Sequence, residues 1–328
     1  MLPLPIFGLH RPKTVAEAVA MLGELPNARL VAGGTDLLPN MKQGITEPEH
    51  LVSLRGVSEL TRVALEPDDG AGEHLVVGAG VRLADAAESL LVRRAAPALA
   101  EACGAVGGPH HRAMGTVGGN VCLDTRCRWV NQTYFWRKSL GFCLKKDGTV
   151  CHVVKGGAKC VAAASNDSAP ALIALEAEIE IVGKAGVRRV PASDFWTADG
   201  VKNNDLAVDE VVTRVRVPVL AGRKSAFEKL RRRGAIDFPL LSVAARLDFE
   251  GDAVRAADVV VSALGAKPRR VRAAAKVGTG AAMATLPEEL AAGAFAECKP
   301  LTNLDDDAGW RREMVRVYVK KAVSRLMG

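Results

Sequence analysis

The chain has 328 residues, 48% of them hydrophobic and 25% charged, enough for about two globular domains with large cores. It has no run of 18 apolar residues and its first residues, Met1-Leu2-Pro3-Leu4-Pro5, lack the charged region and cleavage site of a secretory signal. We therefore expect no membrane span and a cytoplasmic, reducing location, where clustered cysteines serve more often as ligands than as disulfides. The net charge of +7 is concentrated rather than spread: eight Lys or Arg stand against two acids between Val121 and Ser165. A charge run of that kind is ordinarily a solvated face, and the rest of the chain is close to neutral, which argues against a general nucleic-acid surface.

The first predicted element is a helix within His10–Glu24, opened by the capping box Thr14-Val15-Ala16-Glu17. Asn27–Val31 reads as a short buried strand. It runs into the turn Ala32-Gly33-Gly34-Thr35-Asp36, and Leu37 starts a new helix. Strand, glycine turn and helix start present backbone N–H groups to an anion, although one Gly-Gly turn is equally a plain tight turn. Strands follow at Leu51–Leu54 and His74–Val77, then helices over Ala84–Ala95 and Ala98–Cys103. Val106 to Asn120 holds a second glycine-rich loop ending Thr116-Val117-Gly118-Gly119-Asn120. Two such loops suit a dinucleotide whose diphosphate lies between them, and no G-x-G-x-x-G follows a strand to suggest a Rossmann site. His110 and His111 in this loop are either flavin or phosphate contacts or a polar loop pair.

Beyond Ser165, Ala171–Leu175 reads as a short helix, Ala177–Val182 with Val187–Val190 as a hairpin, and Val211–Val217 as a strand stopped by Pro218. A boundary falls at Ala221-Gly222. The remainder reads as a three-stranded antiparallel sheet (Ala226–Leu230, Leu240–Phe249, Arg255–Leu264) with helices over Pro287–Cys298 and Gly309–Met327. In the last helix Val315, Val319, Ala322, Val323 and Leu326 recur at helical spacing, a core face.

Five of the seven cysteines lie between Thr116 and Cys160, spaced C-x4-C-x15-C-x7-C-x8-C from Cys122. Structural zinc sites bring cysteines in C-x2–4-C pairs, and only Cys122 and Cys127 lie that close. Wide, unequal gaps suit a larger object such as an iron–sulfur cubane, whose negative charge the basic residues offset. Spacing alone leaves iron–sulfur, zinc and no metal all open. A basic nucleic-acid-binding protein with structural zinc is the rival from another class. His152 abuts Cys151, and with five cysteines present it is expected to support the site or play no part. Cys103 and Cys298 read as buried thiols.

Four motifs in order resemble the FAD subunits of the xanthine oxidase (molybdenum hydroxylase) family. These are Ala32–Asp36, Thr116–Asn120, Asn166-Asp167-Ser168-Ala169-Pro170, and Lys229 with Arg232 and Asp237. The resemblance implies an α+β chain. Residues 1–221 would form a two-part FAD-binding domain of the p-cresol methylhydroxylase/vanillyl-alcohol oxidase type, and 222–328 a C-terminal domain of the CO dehydrogenase flavoprotein type. It implies that Val31, Ala32, Gly33, Gly34, Thr35 and Asp36, with Thr116, Val117, Gly118, Gly119 and Asn120, hold the diphosphate. Asp167 would bind on the nucleotide side, Val106 and Val212 lie against the flavin ring system, and Lys229 contact the isoalloxazine edge. His111-Arg112-Ala113 departs from the family's I-R-N, and Asn166 stands where Ser is usual.

About 45 residues, 121–165, separate the second loop from the Asn166–Pro170 motif. This inserted cysteine loop resembles that of the flavin subunits of 4-hydroxybenzoyl-CoA reductases. It implies a [4Fe–4S] cluster on Cys127, Cys143, Cys151 and Cys160, with Cys122 left out. It further implies a large molybdopterin subunit and a small subunit with two [2Fe–2S] clusters as partners, a dimer of heterotrimers, and ferredoxin as electron donor.

Overall fold

The computed structural model describes residues 2–67, 72–278 and 281–328. Three sheets organise them. The first is small and parallel, in the order Gly8–His10, His50–Ser53, Ala28–Val31. The helix Val15–Glu24 packs on it; Thr14 caps that helix by accepting from the Glu17 N–H at 3.1 Å, while Glu17 reaches back to the Lys13 N–H at 2.7 Å. The strand Ala28–Val31 is the sheet's other edge and is only partly buried, against the buried strand expected. A short helix, Leu37–Lys42, follows the first glycine turn.

The second sheet is antiparallel, in the order Val63–Pro67, Glu73–Gly78, Val211–Val219, Glu178–Gly183, Gly186–Pro191. The third strand runs through Pro218 rather than stopping before it. Its pairing with Glu178–Gly183 ends at Arg216, so a residue without an N–H costs no ladder bond there. The predicted helix over Ala84–Ala95 is two helices, Leu83–Glu88 and Leu90–Ala95. Ser89 ends the first and caps the second through the Val92 N–H.

The third sheet has four strands, not the three expected: Arg269–Arg270, Ala253–Ser262, Leu241–Glu250, Arg223–Leu230. Both of its faces are covered. Ala244, Val260 and Phe227 join the core of the antiparallel sheet and its helices. Val243, Ala245, Leu247, Val259 and Val261 pack with the helices Leu286–Glu297 and Ala308–Met327. That two-sided burial explains the unbroken run Val259-Val260-Val261. The predicted face of the last helix is buried as read. No helix among the described residues is long and apolar enough to cross a membrane.

The segment between Val121 and Ser165 leaves and re-enters this body at one place. Arg126 and Ala163 exchange two backbone hydrogen bonds at 2.9 and 2.7 Å. Asn303, fully buried, holds both limbs. Its carbonyl accepts from the Arg128 N–H at 2.8 Å, and its amide donates to the carbonyls of Val161 at 2.7 Å and Leu264 at 3.2 Å.

Candidate functional site

Two adjoining sites form between these layers. In the first, the glycine loops meet. A Cβ on Gly33 would lie 2.1 Å from the Met114 carbonyl oxygen, so the two backbones touch where any other residue would hold them apart. Among the described residues the N–H groups of Gly33, Gly34 and Thr35 have no acceptor within the chain. The second loop is not a loose turn. Val117–Val121 makes one helical turn, capped by Thr116, whose hydroxyl accepts from the Gly119 N–H at 3.1 Å. Gly118 lies against Ala79, which is bonded in turn to the Thr213 carbonyl beside Val212. The stretch before it, expected as loop, contains the helix Pro109–Met114, in which His111 Nδ1 accepts from the Gly108 N–H. His110 and His111 are both exposed on it.

The other expected flavin residues are tied to the same place. Asn120 Oδ1 accepts from the Ser168 N–H at 3.0 Å and from its hydroxyl at 2.6 Å, fixing the second loop to Asp167. Lys229 Nζ donates to Asp167 Oδ2 at 2.6 Å and to the Ala105 carbonyl at 3.0 Å, next to Val106. Both side chains of this ion pair are 3% exposed. Burial pushes the Asp167 carboxyl above its ordinary range, and Lys229 pulls it back only in part. Asp167 Oδ1 is buried with no hydrogen-bond partner, and so is Asn166 Oδ1. A buried acceptor left over beside two touching backbone loops fits a ligand that brings hydroxyls and phosphates. Val106 and Val212 are held in the adjoining core. The loop of 231–239 closes the site from the C-terminal side, where the Ile236 N–H donates to the Gly107 carbonyl at 3.0 Å.

The second site is a cavity lined by Cys127, Cys143, Cys151 and Cys160, with Trp129, Val130, Leu144, Lys145, His152 and Val153 among its walls. Cys122 stands apart, packed on the main core. Three sulfurs face backbone N–H groups: Cys127 receives one from Trp129, Cys151 from Val154 at 3.4 Å and Cys160 from Ala162 at 3.5 Å. Burial, and after it the neighbouring cysteines, pushes the Cys127 thiol up to about 12; burial also raises Cys160, which the nearby Lys145 lowers. Thiolates in such a place therefore need a positive partner. Among the described residues no three His, Cys, Asp or Glu stand close enough to hold one metal ion. Four sulfurs about 2.3 Å from a zinc ion must crowd within roughly 4 Å of each other. His152 Nε2 donates to the Phe142 carbonyl at 2.6 Å, and the ring lies against Trp129, so it buttresses the wall.

The basic run is partly an interior feature. The Lys145 side chain is 7% exposed and donates to Asp124 Oδ1, the Thr125 hydroxyl and the Gly200 carbonyl. Arg137, 1% exposed, donates to the carbonyls of Gln43 and Gly44. Arg126 reaches Asp36 at 3.3 Å and lies over the Phe238 ring at 4.0 Å. Arg126, Lys145 and Asn303 were not singled out as site residues from sequence, because their partners stand 20 to 142 residues away and leave no local pattern.

Residues 5–220 match the family of the FAD binding domain in molybdopterin dehydrogenase, and 225–326 match the CO dehydrogenase flavoprotein C-terminal domain. The chain therefore belongs to the FAD subunits of the molybdopterin dehydrogenases, the xanthine oxidase family, and is an oxidoreductase subunit that binds FAD. Among its relatives, the carbon monoxide dehydrogenase medium chain of Hydrogenophaga pseudoflava is 31% identical over 99% of this chain and 98% of that one. The aldehyde oxidoreductase FAD-binding subunit PaoB of Escherichia coli is 32% identical over 84% and 87%. The reconstituted CO dehydrogenase structure from Oligotropha carboxidovorans superposes with a TM-score of 0.79 at 27% identity, covering 99% of both chains.

Proposed function

We propose that this chain is the electron-transfer subunit of a molybdenum-containing enzyme, that it carries one [4Fe–4S] cluster beside its FAD, and that it has no substrate site of its own. The observation that carries the reading is the convergence of Cys127, Cys143, Cys151 and Cys160 on the walls of one cavity, with Cys122 standing apart from it. Residues 31–36 and 116–120 would hold the FAD diphosphate, Asp167 a nucleotide hydroxyl, and Val106, Val212 and Lys229 the flavin ring system. The four cysteines would hold the cluster. When bound, the two groups supply two-electron and one-electron redox chemistry. The protein's part is to exclude water and balance charge. The N–H donors to sulfur and the buried Lys145 offset a negatively charged cluster and so set its potential.

The likeness of the cysteine loop to 4-hydroxybenzoyl-CoA reductases extends the proposal. The holoenzyme would take up two electrons and two protons, release the phenolic hydroxyl as water and yield benzoyl-CoA. Partners would be the large molybdopterin subunit and the small two-[2Fe–2S] subunit, assembled as a dimer of heterotrimers. Iron–sulfur potentials extend to about −700 mV, within reach of a low-potential ferredoxin. Arg128, Lys138, Lys155 and Lys159, all exposed on the loop, suit an acidic donor of that kind. The second reading is oxidation of an aldehyde or heteroaromatic, and the aldehyde oxidoreductase among its relatives favours it.

The test is the complex purified without oxygen, analysed for iron and flavin, and assayed with reduced ferredoxin or viologen and 4-hydroxybenzoyl-CoA. Benzoyl-CoA is the expected product. Its absence, together with oxidation of an aldehyde or heterocycle, selects the second reading. A colourless protein containing zinc overturns both.

A further inference from the structure

We infer that Arg126 is a positioning residue that couples the two sites, so that filling the cysteine cavity tightens FAD binding at the diphosphate loop. This rests on the cluster reading just proposed. Arg126 directly precedes Cys127, and its main chain exchanges two hydrogen bonds with Ala163, three residues after Cys160. Its backbone is thus fixed between two residues of the cavity wall. Its side chain leaves that wall and ends on the other site. The guanidinium meets Asp36 Oδ1 at 3.3 Å, and Asp36 closes the first glycine turn, its other oxygen accepting from Asn40 at 3.0 Å. The ring of Phe238 beneath the guanidinium fixes its plane.

A parallel set of charges runs the same way. Lys145, a cavity residue, is bonded to Asp124 at 2.7 Å, two residues before Arg126. Arg126 is the ion-pair partner of Asp36 among the described residues; burial raises that carboxyl and the guanidinium lowers it. A cluster that pins Cys127 and Cys160 also pins the Arg126–Ala163 bridge, and with it the guanidinium that steadies the turn. FAD then binds a turn already ordered. That is positive coupling without new contacts to either ligand. Linkage requires the converse, that FAD stabilises the cluster by the same factor.

The experiment uses the full chain purified without oxygen and stripped of flavin, with iron content and FAD affinity (flavin fluorescence quenching) as separate readouts. Four proteins are compared: wild type, Arg126→Gln, Cys143→Ser, and the double variant. Cys143→Ser is expected to lose iron and to bind FAD roughly 5- to 150-fold more weakly, the usual span of coupling between sites. Arg126→Gln should keep iron yet weaken FAD, and the double variant should be no weaker than Arg126→Gln alone. Wild type freed of iron by anaerobic chelation should match Cys143→Ser, which separates coupling from misfolding; Arg126→Lys should recover part of the loss. Equal FAD affinity with and without iron, or additive losses in the double variant, overturns the inference while leaving the cluster in place. Wild type without iron overturns the cluster reading and the inference with it.

Discussion

Replacing Gly33 by alanine tests whether the contact of the two glycine loops makes the flavin site. The new Cβ would fall 2.1 Å from the Met114 carbonyl oxygen and 2.5 Å from its carbon. Real Cβ atoms keep about 3.0 Å, so the loops must part by roughly 1 Å, and overpacking on that scale costs about 1–3 kcal/mol. Neither obstacle is a flexible side-chain end; both are main chain. If the same separation is lost from FAD binding, affinity falls about 5- to 150-fold, since each 1.4 kcal/mol is a factor of ten. The control is Gly234→Ala, where a Cβ meets nothing within 4 Å and the backbone is ordinary. FAD titration of the flavin-free chain reads the affinity, and thermal melting reads the fold. Gly33→Ala binding FAD as tightly as wild type would refute the claim that this approach shapes the site.

Serine at Cys127, Cys143, Cys151 or Cys160 should abolish iron binding while the flavin site still forms and takes up FAD at saturating concentration, and Cys122→Ser should keep both iron and full FAD affinity; iron analysis of the five variants decides the ligand set. Lys229→Met leaves the buried Asp167 carboxyl without its ion-pair partner, a loss of about 3–5 kcal/mol in urea unfolding that Asp167→Asn in the same chain should largely relieve. Asp258 is held by burial at a pKa of about 6, despite Arg270 at 2.8 Å. The folded state thus binds a proton that the unfolded chain, near 3.8, has already released. The stability from this group is present below pH 4 and is lost as pH rises to about 6, on the order of 3 kcal/mol. Asp258→Asn should flatten that slope in unfolding midpoints measured between pH 4 and pH 7.

The elements that were legible in the sequence are those whose own residues dictate them. Thr14 and Glu17 announce their helix, and the valine alternation of 211–217 and the hairpin about 183–186 follow from period and turn alone. Elements set by their neighbours were hidden. Arg269–Arg270 is a strand only because Val260 and Val261 offer an open edge, and two arginines carry no strand signal. Gly8–His10, between prolines, pairs only along His50–Val52. The helix Pro109–Met114 lies inside a stretch whose glycines argued for loop. At the site, the motifs mark the residues that touch one another in short range, such as Thr116 with Gly119. They are silent on Lys145, whose charge looked like surface until Asp124, Thr125 and Gly200 were seen to enclose it.

The single crossing at Arg126 and Ala163 has an architectural consequence. Because the cysteine excursion starts and finishes on one rung, the span from 127 to 162 can be removed or exchanged without altering the path of the flavin-binding chain. Most of its polar attachments outside that rung, Asn303 to Arg128 and Val161, Arg137 to Gln43 and Gly44, and Lys145 to Gly200, fall on main-chain groups or on Asn303, and Lys145 adds the side chains of Asp124 and Thr125 just before the rung. A host fold supplies carbonyls whatever its side chains are. A cysteine loop that docks largely on backbone asks little of its host's sequence.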